Sequence, residues 1–91
     1  MNISIADIKC SFKLYPNPTS DKVMLEYNLN EGETGSIQIY TITGIKVLNY
    51  DFTADKNALT FSTAQLKTGI YFYSIVVNNE LRASDKLVII K

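Results

Sequence analysis

Along most of this chain hydrophobic and polar residues alternate with the period of a β-strand. Residues 22–29 show it most plainly: Val23, Leu25, Tyr27 and Leu29 share one face, Met24, Glu26 and Asn28 the other. A period of two marks a pleated strand buried on one side, so the odd positions are expected inward. The pattern predicts a strand over 36–42 as well, with Ile37 and Ile39 opposite in facing to Gln38 and Tyr40. Over 45–52 the phase breaks, because Ile45 and Val47 keep one face while Leu48, Tyr50 and Phe52 keep the other. One extra residue near Val47-Leu48, a β-bulge, reconciles the halves. Residues 58–61 form a brief strand with Leu59 and Phe61 in phase.

The longest apolar run that no turn residue interrupts is IYFYSIVV, residues 70–77, reached through Leu66-Lys67-Thr68-Gly69. β-Branched and aromatic side chains dominate it, which places it near the middle of a sheet. Its parity sends Tyr71, Tyr73, Ile75 and Val77 into the core and Phe72, Ser74 and Val76 outward. Asn78-Asn79 reads as a turn and 81–90 as the last strand, so the final pair is a β-hairpin. Near the start, a short strand over 12–15 is ended by Pro16-Asn17-Pro18. Both prolines fix φ and push the residue before them toward extended geometry. Thr43-Gly44 is a hairpin connection, NEGETG (30–35) an acidic loop, and 62–68 a single turn of helical character. Residues 1–11 are weakly patterned and read as a linker or partial strand, in which Cys10 is inert.

Such strands, with turn signals every ~8–12 residues, predict an all-β fold: a seven-stranded antiparallel sandwich of the immunoglobulin or fibronectin-III type. A β-barrel is the alternative. Leu66, Gly69 and Tyr71 approximate the tyrosine corner that fixes the loop before the sixth strand of such sandwiches. With one cysteine and no tryptophan the antibody pattern of Cys, Trp and Cys is absent, so the likeness is architectural.

Composition narrows the function. Ninety-one residues make one domain, and 46% hydrophobic with 20% charged residues is the balance of a folded protein. Nine basic and nine acidic residues cancel without clustering, which leaves no surface for nucleic acid. The absence of histidine, with a single cysteine, removes Ser-His-Asp and Cys-His catalysis and nearly all zinc sites. The carboxylates are scattered, and Glu31 and Glu33 read as a solvated turn rather than a calcium loop. Neither a catalytic residue, a metal ligand nor a cofactor is expected. No apolar run approaches the ~20 residues of a membrane-spanning helix, and the N-terminal stretch is not a signal peptide, so an exported chain would carry its signal elsewhere. Tyr40 and Tyr50 are the exposed candidates for a sugar-stacking platform. Tyr40, Phe72, Val76, Val88 and Ile90 all face outward on this reading and form a candidate docking patch, an idea that fails if they prove buried.

Four elements in order then point to a family. Leu14-Tyr15-Pro16-Asn17-Pro18, Gly44-Ile45-Lys46-Val47, Leu66 with Gly69-Ile70-Tyr71, and Lys86 through Lys91 resemble the type A C-terminal sorting domain of the type IX secretion system. The resemblance covers residues 12–91, leaving 1–11 as the remnant of a linker from an upstream cargo. It implies a non-catalytic address that directs the cargo across the outer membrane of Gram-negative bacteria. The implied partners are the outer-membrane machinery, a sortase-like protease and the cargo itself. The implied route runs through the periplasm to the cell surface or the medium. Pro16, Asn17 and Pro18 match the entry motif, Gly44 and Lys46 the middle element, Gly69 and Tyr71 the Gly-x-Tyr element. Lys86, Leu87, Val88 and Lys91 match the terminal strand; in the middle element, Ile45 after the glycine stands where a basic residue is more usual. A terminal edge strand could offer unpaired backbone to a partner strand. The alternative function is a carbohydrate-binding or adhesion module appended to a secreted enzyme.

Overall fold

Two antiparallel sheets enclose a single core in the computed structural model of the chain, which describes residues 12–91. The expected linker over 1–11, with Cys10, lies outside the described residues. The strands are β1 (Phe12–Tyr15), β2 (Lys22–Tyr27), β3 (Thr34–Thr41), β4 (Lys46–Thr53), β5 (Ala58–Ser62), β6 (Gly69–Val77) and β7 (Glu80–Ile89). One sheet has the order β1-β2-β5 and the other β4-β3-β6-β7. These seven strands in two layers form the immunoglobulin-like sandwich that the alternation predicts, and among the described residues no barrel closes.

The inward residues follow the sequence pattern closely. Val23, Leu25 and Tyr27 of β2 meet Ile37 and Ile39 of β3, Ile75 of β6, and Leu87 and Ile89 of β7. Most of these have no more than 1% of their surface exposed, and removing such a side chain typically costs ~2–5 kcal/mol. The bulge falls where the phase breaks: Ile39 pairs with Leu48 and Tyr40 with Lys46, so Val47 is the extra residue. It turns Leu48, Tyr50 and Phe52 inward and leaves Ile45 and Val47 exposed. A second bulge had no signal in the pattern. Ile75 pairs with Ala83 but Val76 with Leu81, which leaves Arg82 as the extra residue.

Three local expectations are corrected. Residues 62–68 make no helical turn; Leu66 N–H donates to Thr63 O at 3.0 Å in a tight turn. The segment must cross between sheets, and Thr63 N–H is already given to Asp21 O at 2.8 Å. β2 ends at Tyr27, whose N–H bonds Asn57 O, so Leu29 packs from the following loop. Tyr50 is not an exposed platform, because its ring stacks on buried Phe61 with centroids 4.7 Å apart.

At one end of the core Phe52 lies between Tyr27, at 4.3 Å between ring centroids, and Phe12, edge-on at 6.5 Å. Gly35 is the register partner of Phe52, and a Cβ on Gly35 would stand 2.5 Å from the Phe52 ring. Glycine is a packing requirement here.

Candidate recognition site

The sandwich has two unlike ends. The described chain enters at Phe12, opposite Tyr27, beside the end that holds Gly35, Val77 and the Asn78-Asn79 turn. The other end gathers the close of β1, the start of β2, the β3–β4 hairpin, the start of β6 and the close of β7. Every motif quoted for the family resemblance comes to this second end.

Its centre is the segment after β1. Asn17 Nδ2 donates to Lys86 O at 2.8 Å, and Asn17 Oδ1 accepts from Val88 N–H at 3.0 Å. Thr19 continues the pairing: its N–H donates to Val88 O at 3.0 Å and its carbonyl accepts Ile90 N–H at 2.8 Å, with a parallel bridge to Ile89. The side-chain amide and one backbone residue thus act as a short extra strand along β7. Pro16 and Pro18 flank Asn17 and carry no N–H, so this cover offers little for a further strand to pair with. The expectation of free backbone over 86–90 is therefore corrected. That edge is occupied inside the domain.

Lys91 is tied down as well. Its N–H donates to Thr68 Oγ1 at 3.0 Å, and its ammonium reaches Thr63 O at 3.3 Å and Ala64 O at 3.1 Å. Tyr71 donates its hydroxyl to Lys67 O at 2.8 Å, the bond that defines a tyrosine corner, and so fixes the loop before β6. Gly69 begins β6 opposite Ile89 with no left-handed backbone, so it does not act as a turn glycine. Gly44 does: it sits at φ 92° in the hairpin closed by Gly44 N–H to Thr41 O at 2.9 Å. Lys46 follows on the exposed side of the bulge, opposite Tyr40. Leu87 is fully buried and belongs to the core, whereas Lys86 is exposed and Val88 half-buried on the outer face.

The outward residues are not in the core. Phe72 and Ile90 are exposed, while Tyr40, Val76 and Val88 are half-buried. They do not make one patch, however. Tyr40 and Phe72 are cross-strand neighbours, and Val88 lies in the adjoining row opposite Ile70. Val76 pairs with Ser36 and Leu81 toward the opposite end. Ile90 turns instead to a shallow hollow walled by Pro16, Pro18 and Thr19. Thr19 and Ile70 are additions that the sequence reading missed. Ile70 shares the parity of Phe72 and was open to the same argument, but nothing in the alternation marks Thr19.

The electrostatics are mild. Glu33 accepts Asn30 N–H at 2.7 Å and lies 3.8 Å from Arg82, so the acidic loop is held within the domain. Among the described residues no group of three potential ligands could hold a metal ion. Burial raises the pKa of Tyr27 and of Tyr73, with lesser contributions from Asp55 and Asp85 respectively.

Fold and site together describe a small sandwich with the quoted motifs gathered at one end and no metal-holding cluster among its described residues. Residues 13–91 match the family model of the secretion system C-terminal sorting domain, and the chain belongs to that family. No curated protein matches the chain. Its function is that of a C-terminal sorting signal of the Por, or type IX, secretion system, a non-catalytic role. Export toward the surface or the medium, and association with the type IX machinery, accord with that membership.

Proposed function

We propose that the end built from Pro16–Thr19, the Gly44 hairpin, the start of β6 and the close of β7 is the surface that the outer-membrane machinery reads. The upstream cargo hangs from the opposite end, at Phe12. The observation that carries this reading is the convergence of motifs far apart in sequence, sealed by the Asn17 bonds to Lys86 and Val88. β6 alone is 9 residues long, or about 30 Å at ~3.3 Å per residue, so a bulky passenger at Phe12 stays clear of the far end. The cargo passes through the periplasm to the surface. A sortase-like protease cuts ahead of the sandwich, within residues 1–11, and the cargo is anchored to lipopolysaccharide or released.

A fluorescent passenger fused ahead of residue 1 tests this in a type IX-competent cell. The reading predicts passenger outside the cell, with a new C-terminus mapping to residues 1–11. Passenger retained in the periplasm, with the domain folded, contradicts it.

A further inference from the structure

A single row of neighbours crosses the outer face of the four-stranded sheet. Lys46 lies opposite Tyr40, Tyr40 opposite Phe72, and Phe72 opposite Lys86. All four point away from the core, since Ile39 and Leu87, of opposite parity on their strands, are fully buried. In the next row toward the recognition end, Ile70 faces Val88. Phe72 is 45% exposed and Ile70 49%. In the next row the other way stand Gln38, Ser74 and Ser84, so the apolar surface ends sharply. No carboxylate among the described residues forms an ion pair with Lys46 or Lys86. The result is a bounded apolar centre with an unpaired cation on each side. Three strand spacings of ~4.8 Å separate the two lysine backbones by roughly 14 Å.

We propose that this row docks a protein partner whose surface presents an apolar centre between two carboxylates, one for Lys46 and one for Lys86. The proposal rests on the reading that this end of the domain faces the secretion machinery. Phe72 is the anchor, because exposed aromatics at the centre of a patch carry most of an interface's energy, while flanking charges fix register and reject wrong partners. An anionic membrane fits less well. Two lysines contribute only about 1 kcal/mol each at a lipid surface, and the chain has no net charge to draw it there. Two cations roughly 14 Å apart also bracket a protein surface better than a single headgroup.

The test uses cells secreting the passenger fusion, treated with a carbodiimide, which joins an amine directly to a carboxylate. Lys46 and Lys86 are expected to couple to Asp or Glu side chains of one outer-membrane protein. Lys46→Glu with Lys86→Glu should abolish both couplings and lower the secreted fraction by about ten-fold or more. Phe72→Ser should lower it comparably, and all variants should still unfold in a cooperative thermal melt above the growth temperature. A folded double variant secreted like wild type overturns this inference and leaves the sorting role standing. A wild-type fusion that is not exported overturns both. Binding of the purified domain to phosphatidylglycerol–phosphatidylcholine vesicles, lost in the double variant, overturns the protein partner in favour of lipid.

Discussion

Asn17 Oδ1 accepts the backbone N–H of Val88 at 3.0 Å, across a separation of 71 residues. The same amide donates to Lys86 O, so one side chain takes up two of the polar groups that the close of β7 turns to its edge, and Thr19 takes up the next two. Few side chains can do this, since donor and acceptor must share a short planar group. With its backbone occupied by Asn17 and Thr19, the close of β7 exposes side chains rather than backbone, chiefly those of Lys86, Val88 and Ile90.

Asn17→Ala therefore removes two bonds that close an edge. A loss of about 1–3 kcal/mol is expected in urea unfolding, with faster amide exchange at Val88. Asn17→Asp keeps the acceptor but sets a carboxylate against Lys86 O, and should cost at least as much. Wild-type exchange at Val88 in the alanine variant would contradict the role given to this side chain.

The glycines separate cleanly. Gly35→Ala places a methyl 2.5 Å from the Phe52 ring, and overpacking of that kind costs about 1–3 kcal/mol. Gly69→Ala meets only Tyr71 at 3.8 Å, an ordinary contact, and should leave the melting temperature nearly unchanged. Equal effects of the two substitutions in a thermal melt would count against this packing account.

Tyr71→Phe keeps the ring and loses the bond to Lys67 O. A destabilisation of about 1 kcal/mol is expected, read from chemical denaturation, with exchange accelerated in residues 66–69 and not at the Gly44 hairpin.

The pH dependence has a definite sign. Tyr27 and Tyr73 are harder to ionise in the folded chain than in the unfolded one. Above the ordinary tyrosine value of about 10, the unfolded chain has lost protons that the folded chain keeps, so stability falls as pH rises. Their contribution is complete below about pH 10 and is lost through the higher folded values. Melting temperatures across the alkaline range should decline there, and less steeply in Tyr73→Phe.

The sheets were legible because most burial here is one-sided, and a period of two records it. Even the bulge at Val47 showed itself as a change of phase. The bulge at Arg82 did not, because polar Ser84 and Asp85 leave that part of β7 without a clear phase. The site was legible as motifs but not as a surface. Alternation says which face a residue takes, yet nothing local says that Asn17 pairs with β7 or that Leu87 is core. Tyr50 differs from the exposed-ring expectation for a related reason: only the tertiary fold brings Phe61, from another strand, to stack against its ring.

The same burial disqualifies truncation as a test of the address. Deleting 86–91 removes Leu87 and Ile89, both fully buried, and with them part of the core. Placement of the passenger is the direct measurement. The fraction of a fluorescent passenger found outside the cell should be high when it is fused ahead of Phe12 and low when it follows Lys91, where it covers the recognition end. Equal export from both positions, with both fusions folded, would contradict the claim that this end is the one that is read.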